Sequence, residues 1–339
     1  ISAEHGEGLG DLYDALEPWL ELPEEEEAVL SDAPEEGMRP EEVLSPTRPL
    51  KLAIVGRPNV GKSTLLNTLV GEKIAAVSPK AQTTRRRFRG IRTDADSQII
   101  FVDTPGLHRA PEGKKLNEYL VAEALDSLRD VDAVVYILDG SRPLRAGELA
   151  ETDERFLIES LKRSLAEKPR PLFVLVNKQD LWGKPGAHFG GQADFVEALK
   201  GLPVKAIYPI SAKSGQGLED FLIQLKGSLP QGPALYPEDE LTDQSLRTVV
   251  GELIQEKLFY LLGEELPYSC AIEVEQYKEP GEGRKHPEIH AAIHVERESQ
   301  KPIVIGKGGS KIKEIGQSAR ESIERLVGGK VVLKLFVKV

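Results

Sequence analysis

The residues with the plainest chemistry form a loop, Gly56-Arg57-Pro58-Asn59-Val60-Gly61-Lys62-Ser63-Thr64, which follows an apolar run and opens a helical one. Its glycines let backbone N–H groups turn inward around phosphates, and Lys62 sets a cation against the β and γ oxygens. The helix N-terminus adds positive potential. Ser63 offers a hydroxyl to Mg²⁺, a hard cation that takes oxygen ligands. Further on, Asp103-Thr104-Pro105-Gly106 closes a second apolar run. An acid at the C-terminal end of such a strand lies beside the phosphates. Asp103 therefore reads as the group that holds the metal through water, and the Gly106 N–H as the sensor of the γ-phosphate.

Base selection needs a different group. Asn177-Lys178-Gln179-Asp180 ends a third apolar run. A carboxylate accepting two N–H bonds from guanine N1 and N2 would face an acceptor, N1, in adenine, and a buried polar group would be left unpaired. Asp180 suits that role, with Ser211-Ala212-Lys213 supporting the base from the next strand end. The reaction implied is phosphoryl transfer from GTP to water, which rests on positioning and charge neutralisation. Leu107 follows the D-T-P-G motif. Leucine cannot orient water, so slow intrinsic hydrolysis is expected. Lys62, Asp103 and Gly106 are candidate catalytic groups, with Thr84 of the Gln82–Arg87 segment a fourth.

A separate glycine loop lies near the C-terminus: Val304-Ile305-Gly306-Lys307-Gly308-Gly309-Ser310-Lys311-Ile312. It resembles the core of KH domains, whose G-x-x-G loop lets a nucleic-acid backbone approach closely and clamps about four nucleotides. Lys307, Lys311 and Lys313 add phosphate attraction that should fall with salt. Residues 301–339 carry nine Lys/Arg against three Glu.

Elements must hold these loops in place. Continuous apolar runs at Lys51–Val55, Ile99–Val102, Ala133–Leu138, Leu172–Val176 and Ala206–Pro209 read as strands buried on both faces of a parallel sheet. Phe88–Thr93 is more polar and reads as an edge strand. Ser63–Leu69, Lys115–Leu128 and Glu148–Leu165 read as helices, giving an α/β three-layer domain. After Pro230, a helix carrying Leu246, Val249, Val250, Leu253, Leu258 and Leu261 precedes strands Tyr268–Glu275 and Ile289–Glu296. A helix at Ser310–Leu326 and a strand at Val331–Val339 complete an α-β-β-α-α-β order, a small α+β unit.

The net charge of −11 hides two opposed ends. Residues 1–50 hold fifteen Asp/Glu against Arg39 and Arg48, while the C-terminal segment is basic, the sign a polyanionic partner requires. No run of 18 apolar residues spans a membrane. Cys270 is the only cysteine, which excludes an intrachain disulfide and fits a reducing compartment. Leu22–Arg48, rich in Glu and Pro, reads as a disordered linker. Ile1-Ser2-Ala3-x-x-Gly6-x-Gly8-Leu9 echoes Ile210-Ser211-Ala212-x-x-Gly215-x-Gly217-Leu218, each before an amphipathic stretch (Asp11–Leu20 and Glu219–Leu229). Either residues 1–21 are the remnant of a preceding GTPase-like domain, or the echo is chance. The expected division is 1–21, linker 22–48, GTPase domain 49–230 and RNA-binding domain 231–339.

Asp103–His108, Glu296–Lys301, Lys311–Gly316 and Gln82-Thr83-Thr84-Arg85-Arg86-Arg87 together resemble the Era family of bacterial ribosome-assembly GTPases over residues 50–339. The resemblance implies a type II KH domain, binding of the 3′ end of small-subunit rRNA, and assistance to small-subunit assembly. It also implies that Gln82–Arg87 is the first switch. Either threonine can cap the metal, and Thr84 is favoured because related GTPases place one directly before the arginine; the arginines alternatively start an exposed basic strand. Asn59 resembles the K⁺ ligand of potassium-stimulated relatives, or it stabilises the loop. A cytoplasmic, monomeric protein with peripheral contact at the inner membrane is implied, although no anchor is legible. Residues 1–49 and the phosphate loop resemble the Der family, double-GTPase ribosome factors, so a large-subunit role is the runner-up. An RNA-binding adaptor with little turnover is the third reading.

Overall fold

The structure is a computed structural model that describes residues 49–80, 87–106, 124, 126–141, 153–182, 199–227, 233–263, 265–281 and 283–339. The acidic segment, its echo, Thr84, Leu107 and most of the Lys115–Leu128 helix lie outside the described residues.

The first sheet has the order β2-β3-β1-β4-β5-β6, built from β1 (Leu50–Val55), β2 (Phe88–Asp94), β3 (Ser97–Asp103), β4 (Ala133–Asp139), β5 (Leu172–Asn177) and β6 (Val204–Pro209). All neighbours run parallel except β2, which pairs antiparallel with β3 at the sheet edge. The continuous apolar runs arise because the sheet is covered on both sides. In β1, Leu52 and Ile54 join a core with Leu65 and Leu69 of α1 (Lys62–Val70) and Phe221 of α3 (Leu218–Lys226). Ala53 and Val55 face the opposite core with Leu157 and Leu161 of α2 (Asp153–Glu167). These are the three layers expected, and they aim the C-terminal ends of β1, β3, β4, β5 and β6 at one rim.

The second sheet is β7-β8-β9, from β7 (Cys270–Lys278), β8 (Glu288–Val295) and β9 (Val332–Lys338). β7 pairs antiparallel with β8, and β8 pairs parallel with β9. Helices α4 (Leu246–Leu261), α5 (Lys301–Ile305) and α6 (Ser310–Val327) supply its core: Leu253 and Leu258 of α4, Val304 of α5, and Ile315, Ala319 and Ile323 of α6 pack against Ile289, Ala291 and Ile293. The alternation in β8 is as expected, with His290 and His294 half-buried on the far face. The first strand begins two residues later than expected and runs on to Lys278. Pro267, which lacks an N–H for a strand ladder, sits in a 3₁₀ turn over Leu266–Ser269 instead.

Residues 235–243 run along the edge of the first sheet before α4 begins. The Gln98 side chain accepts from Leu235 N and Tyr236 N and donates to Tyr236 O; Leu241 O accepts from Ile91 N. Arg89 pairs with Asp243 at 2.6 Å. The stretch covers an edge strand that would otherwise present unpaired backbone groups. Val249 of α4 in turn joins the core of the first sheet.

Candidate nucleotide site and nucleic-acid interface

The strand β1 ends into a cleft lined by Pro58, Asn59, Gly61, Lys62, Ser63 and Thr64, with Ala76, Val77, Ser78 and Gly106 opposite. Gly61 has φ 107°, a conformation that glycine adopts without strain, and a Cβ there would lie 2.3 Å from Asn177 Nδ2. Gly106 also approaches the loop closely, since its Cβ would meet Pro58 backbone atoms at 2.8–2.9 Å. Lys62 folds back on the loop, donating to Gly56 O at 3.1 Å and Arg57 O at 2.8 Å. Burial pulls its pKa from 10.5 to about 8, with Asp103 and Glu154 opposing that fall. Ser63 Oγ donates to Asp103 Oδ2 at 2.6 Å, both wholly or partly buried. The Arg57 guanidinium points away from the cleft to Glu154 of α2, at 3.4 Å.

The base side is braced to the phosphate side by one amide. Asn177 Nδ2 donates to Val60 O at 2.7 Å, and its Oδ1 accepts from Ala212 N at 2.8 Å. Asp180 sits in a 3₁₀ turn (Gln179–Leu181), where its Oδ1 accepts from Ser211 Oγ at 2.8 Å. Thr68 of α1 donates to Ala212 O at 2.6 Å, fixing the Ser211–Lys213 loop from below. Lys178 takes φ 71°, and its Nζ meets Asp139 Oδ2 at 2.6 Å. The structure thus gathers Gly56–Thr64, Asp103, Gly106, Asn177–Asp180 and Ser211–Ala212 at one rim. Thr104 differs: its hydroxyl is buried and donates to Ile54 O, a contact that seats the D-T-P-G turn on β1.

The glycine loop of the second unit joins α5 to α6. Gly306, Gly308 and Gly309 have φ of 76°, 60° and 78°. Nothing lies within 4 Å of a Cβ built at Gly308 or Gly309, so this backbone is open to a ligand. Lys307 and Lys313 are exposed, and among the described residues neither they nor Lys311 form an ion pair. Behind the loop runs a groove between α6 and the free edge strand β9, lined by Ile312, Lys313, Gly316, Gln317, Arg320, Leu333 and Leu335. Its apolar floor and basic wall suit unstacked bases and their phosphates.

Three parts of the site carry no motif. The groove floor comes from alternate residues of β9, which read only as a strand. The loop Lys73–Lys80, which forms the cleft wall, has no distinctive spacing. It is pinned by Asn67, whose Oδ1 accepts from Ile74 N and Ala75 N, and by Asn59, whose Nδ2 donates to Pro79 O at 2.8 Å. It is held from the second unit by Glu256 of α4, which accepts from Lys73 Nζ at 2.6 Å and Val77 N at 2.9 Å. Asp139 was findable, because it stands at a strand's C-terminal end as Asp103 does.

A family model described as 50S ribosome-binding GTPase matches residues 51–178, and a KH domain model matches residues 265–339. Among solved structures, Era of Aquifex aeolicus bound to GDP·AlF4⁻ is 36% identical, with a TM-score of 0.75 over 86% of this chain and 93% of that one. Era in complex with MgGDPNP and nucleotides 1506–1542 of 16S ribosomal RNA is 35% identical, with a TM-score of 0.73 over 86% of this chain and 94% of that one. Matches of that extent take in the phosphate cleft and the open glycine loop together, and the chain belongs to the Era family of GTPases.

Proposed function

We propose that this protein is a Mg²⁺-dependent GTPase that binds small-subunit rRNA through its KH unit and acts in assembly of the small ribosomal subunit. The observation that carries the reading is the Asn177 brace. One side chain ties the phosphate loop at Val60 to the base loop at Ala212, so triphosphate and guanine are gripped as one ligand. The 16S rRNA complex of the family supports the choice of RNA.

Ser63 and Asp103 fit Mg²⁺, since two oxygens, one of them anionic, already stand 2.6 Å apart at the head of α1. Bound there, the ion would neutralise charge on the β and γ oxygens. Lys62 exchanges its two loop carbonyls for phosphate oxygens, and the Gly106 N–H reads the γ-phosphate. Thr84 is assigned to close the metal side and Asn59 to offer its Oδ1 to K⁺. With Leu107 after the D-T-P-G turn, hydrolysis is slow until a partner or a monovalent cation completes the water site. Residues 49–230 form the nucleotide unit and 231–339 the RNA unit of a monomer that works at the small subunit in the cytoplasm, with any membrane contact peripheral. Among the described residues no helix is long and apolar enough to cross a membrane.

Turnover of GTP and ATP by the full chain with Mg²⁺, with and without small subunits, tests the reading. GTP should be preferred and small subunits should raise the rate. Equal turnover of the two nucleotides would remove the role of Asp180 and the switch with it.

A further inference from the structure

We infer that Asp139 is a positioning residue for guanine recognition, acting on Lys178 and through it on the turn that presents Asp180. The inference rests on the GTPase reading above and adds a residue that lies outside its motifs.

Asp139 is the last residue of β4 and lies in register with Asn177 at the end of β5. Both of its carboxylate oxygens are engaged. Oδ2 accepts from Lys178 Nζ at 2.6 Å, while Oδ1 accepts from Ser141 N at 3.0 Å and Ser141 Oγ at 2.6 Å. The two strand ends are also joined through backbone, Gly140 N to Asn177 O at 2.8 Å. The crossing is tight, since a Cβ at Gly140 would lie 2.9 Å from Asn177 O and 3.1 Å from the Trp182 ring. The carboxylate is therefore fixed from its own side before Lys178 reaches it.

What it fixes is a strained residue. Lys178 is one of two non-glycine residues of positive φ among those described, the other being Asn59 in the phosphate loop. A side chain in that region persists where its surroundings hold it. The Lys178 backbone opens the 3₁₀ turn that carries Asp180, so the angle at which Asp180 meets Ser211 depends on this residue staying left-handed. The ion pair is mostly sheltered, with side-chain exposures of 28% for Lys178 and 15% for Asp139. Its removal would free the lysine stem to swing off the rim and the turn to relax, while the Asn177 brace stays in place.

The test uses the full chain and GDP, ADP and GTP as ligands. D139N is nearly isosteric: it keeps the oxygen that Ser141 uses and turns an N–H toward the ammonium. It should weaken GDP binding by about ten-fold or more, as expected for loss of a charged hydrogen bond. The GDP-over-ADP preference should narrow by a similar factor, and the loss should fall on KM for GTP rather than on kcat. S141A loosens the turn without touching Lys178 and should stay within about two-fold. K178M should reproduce the D139N loss, and D139N should add nothing in the K178M background. Wild-type affinity in D139N, or an equal loss from D139N with and without Lys178, overturns the inference while leaving the GTPase reading intact. Wild-type protein with no guanine preference would overturn both.

Discussion

At the scale of the single residue, the buried lysine of the cleft makes the most direct forecast. Burial disfavours the charge of Lys62 and brings its pKa down from the ordinary 10.5 to about 8. Phosphates would hold it protonated. Above pH 8 binding must therefore take up a proton, and affinity should fall by up to about ten-fold per pH unit. Calorimetry at pH 9 in buffers of different ionisation enthalpy should show close to one proton absorbed, and at pH 7 almost none. The sign for folding is opposite. The unfolded chain binds this proton more tightly, so the destabilising contribution of Lys62 is greatest below pH 8 and fades as pH rises toward 10.5. A second forecast concerns Gly61, whose φ is 107° and whose Cβ would strike Asn177 Nδ2. Gly61→Ala should cost about 2 kcal/mol or more in thermal unfolding and abolish nucleotide binding, since it breaks the brace as well as the loop. These residues were legible in the sequence because phosphate and guanine demand particular groups at short, fixed spacings. Asp139 was not singled out, because its partner Lys178 lies 39 positions away.

At the scale of the element, the open turn between α5 and α6 separates binding from folding. Gly308 and Gly309 are left-handed yet contact nothing that a side chain would strike. Changing both to Asp should cost about 1–2 kcal/mol of strain per site at most, since Asp tolerates this conformation better than most residues. RNA affinity, measured by filter binding, should fall at least about ten-fold as carboxylates meet phosphates. Lys313→Ala should lower the salt dependence by about one counterion without altering melting. The strands of both sheets were readable from apolar continuity and alternation. The start of β7 was displaced because Pro267 takes the chain into a turn, a local rule that overrode the apolar pattern around it. The groove beside α6 was not readable, because the lining of a free strand edge depends on which helix packs beside it, and that is settled only when the sheet forms.

At the scale of the whole molecule, a buried carboxylate ties the two units together beside the Val249 contact. Glu256 is 1% exposed, 183 residues from Lys73, and no sequence spacing announces it. Burial alone would raise its pKa, but Lys257, Lys73 and the Val77 N–H together hold it below the ordinary value of 4.5. Its contribution to stability is therefore complete above pH 4.5 and is lost as pH falls below that value. Glu256→Ala should destabilise by about 1–3 kcal/mol, a figure reduced from that for a fully buried pair because Lys73 is itself 41% exposed. The same variant releases the wall of the phosphate cleft, so GDP dissociation, followed with a fluorescent analogue, should be faster than in the parent.

The chain that links the units is laid along the rim of the first sheet, bonded through Gln98, Ile91 and Arg89 almost to the start of α4. It is a short pivot and not a leash. Should the Glu256 and Val249 contacts open, the RNA-binding unit can swing only about the few residues before Ser245, so it stays within reach and re-engages as an intramolecular event of high effective concentration. Cutting the last anchor before α4, the Arg89–Asp243 pair (Arg89→Ala), lengthens that pivot, and re-closure, not the strength of the closed contact, is what should slow.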